Sequence, residues 1–205
     1  LKGGKNMKIL YAASEAQPVA ASGGLADVAG SLPKALVEEG HEACVVVPLY
    51  VNTIKQQWRD QMTYVTNFSV PVGWRNQYCG LFTAKINNVT YYFLDNEYYF
   101  KRDFGLYGYY DDAERYAFFS RAVLEMLKVI DFKPQIINSN DWQCALIPVY
   151  YSIFYRNDEK LWGIKNVFTI HNIQYQGRYG MEILEDVLGI PKHFASLMEY
   201  DRDIN

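Results

Sequence analysis

The sequence predicts an α/β fold, a mostly parallel sheet flanked by helices, and three observations predict it. Short apolar runs of strand length alternate with segments of helical period. A double glycine, Gly23-Gly24, joins the first such run to the first helical segment, and that segment leads into a second apolar run. Strand, glycine turn, helix and strand in this order form a βαβ unit, whose crossover leaves the two strands parallel and adjacent with helices on the sheet faces. The expected architecture is Rossmann-like.

Taken in order, "KILYAAS" (8–14) is a buried strand, and residues 25–39 form a helix that Gly40 terminates. "EACVVVPLY" (42–50) is the second strand, ended by Pro48. From "YVTNFSVPV" (64–72) through "CGLFTAKINNVTYYFLD" (79–95) the period shortens toward two, which predicts strands, some antiparallel, with Asn87-Asn88 as a hairpin turn. Asp111 or Asp112 is placed to cap the next helix, with Glu114 near the capping-box position and Tyr116, Phe119, Val123, Leu127 and Ile130 as its buried stripe. "PQIINS" (134–139) is a strand, residues 141–156 a helix that Pro148 is placed to kink, and "KNVFTIH" (165–171) another apolar strand.

At 205 residues and 50 % hydrophobic composition the chain can bury one sizeable core, so one domain is expected over residues 7–205. Residues 1–6, "LKGGKN", precede a candidate start methionine and are set aside as a cloning remnant. The chain stops after "MEYDRDIN" without a closing feature and reads as cut from something longer. Net charge is −3, with 20 Lys and Arg against 23 Asp and Glu, and no basic stripe follows a nucleic-acid backbone, so nucleic acid is excluded as a partner. Cys44, Cys79 and Cys144 are odd in number and far apart, without a CxxC pair. That argues against disulfides or a zinc site and for a reducing compartment, the cytoplasm; the Asp111-Asp112 pair reads as a cap rather than a metal site. No segment reaches membrane-spanning length.

Ligands of open α/β sheets bind beyond the carboxyl ends of the strands, where three loops qualify: residues 14–25, 140–143 and 171–177. The first offers backbone N–H groups at a helix N-terminus and suits a phosphate. Each signal has an ordinary counterpart. Gly23-Gly24 also fits a plain tight turn, Asp141 a helix cap, and His171 a buried histidine; convergence at one sheet edge is what would raise all three. Residues 96–119 are unusually aromatic, mostly in core spacing, and Tyr107 alone is expected at the surface, where an aromatic face suits a sugar ring.

The segments "MKILYAASEAQPVAASGGLADVAGSLPKAL", "VVVPLY", "LYG", "DAERYAFFSRAVLE", "NSNDWQCALIP" and "VFTIHNIQYQG", in this order, resemble the N-terminal half of bacterial glycogen (starch) synthases. These are ADP-glucose-dependent glycosyltransferases of GT-B architecture, in which two Rossmann-like domains face each other across a cleft. The resemblance implies retaining transfer of glucose from ADP-glucose to an α-1,4-glucan with no metal and no cofactor, and a C-terminal domain that this chain does not include. It implies that Ser22, Gly23 and Gly24 lie against the donor phosphates, that His171 and Asp141 act at the glucose, and that Asp27, Tyr107, Gln143, Asn172 and Gln176 line the sugar and acceptor sites. It also implies that the histidine stabilises an oxocarbenium-like charge. Three positions depart from the family pattern: Ala21 stands where a lysine is usual, and Asn140 and Gln143 replace the histidines of His-Asp-Trp-His in Asn140-Asp141-Trp142-Gln143. The resemblance leaves ADP-glucose and UDP-glucose undistinguished. Two other classes compete with it. A dinucleotide-dependent oxidoreductase lacks its GxGxxG here, and a glucan-binding relative without turnover would accommodate Ala21 and Gln143.

Overall fold

A computed structural model describes residues 6–205, so the stretch set aside as a remnant lies, Asn6 excepted, outside the described residues. Strands β1 (Lys8–Ala12) and β2 (Glu42–Pro48) are buried throughout after their first residue, as continuous apolar runs in a parallel sheet must be. They pair in parallel, with Leu10 opposite Cys44. Helix α1 (Gly24–Glu38) connects them and ends in a Schellman motif: Gly40, at φ 91°, donates to Val37 O, and His41 donates to Leu36 O.

After the short helix α2 (Gln56–Arg59) come β3 (Thr63–Val72), β4 (Arg75–Ile86) and β5 (Val89–Asp95). The turn between β4 and β5 is the expected one: Asn87 and Asn88 have φ 49° and 66°, the left-handed pair that a two-residue hairpin demands. Beyond α3 (Glu97–Phe100) lie α4 (Asp112–Met126), β6 (Ile136–Asn140), α5 (Leu146–Tyr150) and β7 (Lys165–Thr169). The sheet order is β3-β4-β5-β2-β1-β6-β7, with β4 alone running against the rest. From β1 the chain moves outward to β2 and later crosses back to β6 on the far side. Right-handed crossovers therefore put α1 on one face and α4 and α5 on the other.

Three expectations are corrected. Helix α4 is not striped but buried nearly all round, from Arg115 through Met126, because it is sandwiched between the sheet and the segments that follow it. Its capping box does not form: Asp112 accepts the N–H groups of Gly108 and Tyr109, while Glu114 accepts from Tyr99 Oη and pairs with Arg75. The helix expected over 141–156 is a 3₁₀ turn (Trp142–Cys144), α5 and a π turn (Tyr151–Tyr155), broken where Pro148 lacks its N–H and Ser152 Oγ takes the Pro148 carbonyl at 2.9 Å. Strand β7 is apolar yet lies at the sheet edge, leaving Val167 45 % and Phe168 43 % exposed. The remaining chain carries β8 (Tyr179–Gly180), α6 (Ile183–Asp186), a 3₁₀ segment (Lys192–Leu197), β9 (Glu199–Tyr200) and β10 (Asp203–Ile204), the three strands forming a small antiparallel sheet.

Candidate active site

The reversal of strand order at β1 opens a crevice beyond the carboxyl ends of β1, β6 and β7, and the three loops singled out from the sequence leave the sheet there. On the first loop Ser22, Gly23 and Gly24 are exposed, and Asp27 is exposed in the first turn of α1. Gly23, the N-cap, has extended torsions (φ −158°, ψ −166°) and offers no side-chain cap to the N–H groups of the first turn. Gly24 has open space where a side chain would stand.

Glu15, not singled out from the sequence, organises this loop. It is buried, and its Oε2 accepts both the N–H of Ser22 and the Ser22 hydroxyl, the latter at 2.7 Å. A carboxylate thus folds into the turn in which the family pattern usually places a lysine at the Ala21 position. A charged residue closing the apolar run "YAAS" was the signal that sequence reasoning passed over.

The second and third loops hold each other. Asp141 sits at φ 56° and ψ 178° and caps no helix; instead its Oδ1 accepts the backbone N–H of His171 at 2.7 Å. The imidazole Nε2 of His171 lies 2.9 Å from Asn140 Oδ1. Both ordinary counterparts, the helix cap and the buried histidine, are therefore set aside, because His171 is exposed. Asn172 and Gln176 are exposed but already engaged: Asn172 Oδ1 accepts from Gln174 N, while Gln176 Nε2 donates to Ile173 O and its Oε1 accepts from Asn205 Nδ2. Gln143 is buried, its carbonyl accepting from Ser120 Oγ and its Oε1 without a partner.

Tyr107 is half-buried rather than on the surface as expected, with its Oη 2.7 Å from Ser14 Oγ at the end of β1. Burial, and then neighbouring Tyr116, push its phenol far above the ordinary range, so it stays a neutral hydroxyl. The loop carrying it is fixed from beneath by Arg115, fully buried, which donates to the carbonyls of Tyr99 and Leu106 and pairs with Asp112. Tyr116 Oη donates to the same Leu106 carbonyl, and Tyr50 Oη donates to Ser14 O at 2.8 Å. Asp141 also borders a cleft of about 440 Å³ walled by Trp142, Phe168, Ile170, Tyr175 and Gln176. Among the described residues no three of His, Cys, Asp and Glu converge closely enough to hold a metal ion, and no helix is long and apolar enough to cross a membrane.

Residues 8–205 match the starch synthase catalytic domain family. The chain belongs to that family. It is 50 % identical over 193 residues to a glycogen synthase of Exiguobacterium sibiricum, covering 93 % of this chain and 40 % of that protein. It is 45 % identical over 201 residues to a glycogen synthase of Lactobacillus acidophilus, covering 97 % and 42 %. Among solved structures it superposes, at a TM-score of 0.83 and 28 % identity, on the catalytic domain of starch synthase IV from Arabidopsis thaliana bound to ADP and acarbose, covering 97 % of this chain and 40 % of that one. The chain therefore spans about two fifths of the length of its relatives. Its fold is that of the corresponding part of a starch synthase catalytic domain of GT-B architecture.

Proposed function

We propose that this chain is the N-terminal, acceptor-side domain of a cytoplasmic two-domain glucosyltransferase, one that extends an α-1,4-glucan from ADP-glucose with retention. The observation that carries the proposal is the family match over residues 8–205, joined to the convergence of the three family loops on one sheet edge. In this reading the uncapped N–H groups at Gly23 and Gly24 receive the donor diphosphate at the positive end of α1, and Ser22 joins them once it exchanges its Glu15 partner for a phosphate oxygen. His171, held at its backbone by Asp141, presents dipoles to the charge developing at the anomeric carbon. Tyr107, Asp27, Asn172 and Gln176 contact glucose and acceptor hydroxyls, and buried Gln143 supports them from behind. A C-terminal domain of the longer protein supplies the cations for the diphosphate.

A second reading has one observation in its favour. Ala21 brings no cation, and Glu15 already occupies the N–H and hydroxyl of Ser22. A loop with a carboxylate and no lysine fits a glucan-binding relative without turnover. The test is incorporation of labelled glucose from ADP-glucose into glycogen, by the 205-residue chain and by the longer protein carrying it. Turnover by the longer protein and none by the chain alone is expected, because the reacting groups are held together only when both halves are present. Multiple turnovers by the chain alone would overturn the two-domain assignment; glucan binding without turnover by the longer protein would establish the second reading.

A further inference from the structure

We infer that Asn140 is a positioning residue that fixes His171 as its Nε2–H tautomer and leaves Nδ1 as the ring's hydrogen-bond acceptor. Asn140 is completely buried at the end of β6. Its amide nitrogen donates to Ala12 O, 3.0 Å away on β1, and to Asn138 O at 3.1 Å. These two carbonyls accept only, so the amide cannot be flipped and both Nδ2 protons are used. The remaining atom, Oδ1, accepts only, and it faces His171 Nε2 at 2.9 Å. That nitrogen must therefore carry the proton, and in the neutral ring Nδ1 must then hold the lone pair.

Asn140 thus joins three strand ends: β1 through Ala12, its own β6, and the loop after β7 through the imidazole. Consecutive residues divide the work on His171, with Asp141 holding the backbone N–H and Asn140 the ring. A sugar hydroxyl meeting this ring donates to Nδ1. This consequence for the reaction rests on the proposed role of His171; the tautomer does not.

The test is nitrogen NMR of the imidazoles in the ¹⁵N-histidine-labelled 205-residue chain, at about pH 9 where free imidazole is neutral. His41→Gln and His193→Gln variants assign the other two rings. The expected spectrum gives Nε2 of His171 the protonated, pyrrole-type shift and Nδ1 the pyridine-type shift. Asn140→Leu, which removes the acceptor, should shift both resonances toward a mixture of tautomers. A wild-type ring protonated on Nδ1, or ring shifts that Asn140→Leu leaves unmoved, overturns the inference; the first result needs no change at Asn140. In the longer protein Asn140→Leu should lower kcat by about tenfold to a hundredfold with little change in KM, the scale of a mispositioned reacting group. An unchanged kcat alongside the expected tautomer would uphold the positioning of the ring and overturn its assignment to the sugar site.

Discussion

Asp141 holds φ 56° and ψ 178°, a backbone region that belongs almost wholly to glycine and costs other residues about 1–3 kcal/mol. The residue that would relax it is glycine, yet glycine would also remove the carboxylate that holds His171. Asp141→Gly is therefore expected to leave the melting temperature of the chain unchanged or raised while lowering kcat of the longer protein at least about a hundredfold. Thermal melting and steady-state kinetics check the pair, and normal kcat in Asp141→Gly would count against the site. Position 21 offers the complementary gain. Ala21→Lys places a cation beside the Glu15 carboxylate and the Gly23–Gly24 turn. The KM for the sugar nucleotide should fall, or stay put if the second domain already neutralises the diphosphate. A rise in KM with folding intact would show that the donor does not lie against this loop.

At the scale of the element, α1 shows two glycines with opposite expectations. Gly30 lies mid-helix, where alanine is intrinsically better by about 1 kcal/mol. A Cβ there would stand 2.8 Å from Gln17 Cβ and 2.9 Å from the Gln17 carbonyl, a backbone atom that cannot swing away. The clash wins, because the same loop is tied to the helix by Gln17 N donating to Ala26 O. Gly30→Ala should destabilise the chain by about 1–3 kcal/mol in denaturant unfolding. A Cβ at Gly24 meets nothing within 4 Å and the residue is not in the left-handed region, so the fold should tolerate Gly24→Val at this exposed turn. Any loss of donor use in Gly24→Val then reports on the ligand and not on folding. Most elements were legible in the sequence. The strands of the parallel core and the Asn87-Asn88 hairpin follow from apolar periodicity and turn chemistry, which are local. The all-round burial of α4 and the breaking of the 141–156 helix were not, because each depends on what packs against the segment.

Over the whole molecule, buried acidic protons dominate the alkaline side of stability. Burial pushes the thiols of Cys44 and Cys144 from 9.0 up to about 12, and the phenols of Tyr91 and Tyr92 from 10.0 up to about 12. Between those limits the unfolded chain loses protons that the folded chain keeps, so the unfolded state binds fewer protons and stability falls as pH rises. The stabilisation is complete below about pH 9 and is lost progressively above it. Melting temperature should be insensitive to these groups from neutral pH to about pH 9 and drop steeply beyond. The near-ultraviolet phenolate absorbance of the buried tyrosines should appear together with unfolding. Titration of those tyrosines near their ordinary value of 10.0, in a chain that remains folded, would contradict the packing of the core.

The sequence by itself determined the alternation of strand and helix, the three polar loops that follow the strand ends and the family whose ordered motifs they form. All of these are written in short stretches whose meaning is local. Only the tertiary structure decided which polar groups meet. Tyr107 reaches Ser14 across 93 residues and His171 reaches Asn140 across 31. Such partners cannot be read from spacing, because they become neighbours only when the fold brings distant segments together, as where the sheet sets β6 beside β7. Glu15 and Ser22 are only 7 residues apart, yet their clasp too was invisible, since a buried carboxylate is held there by the turn it closes. Burial in the folded core makes unpaired polar groups costly, and that cost selects one partner for each.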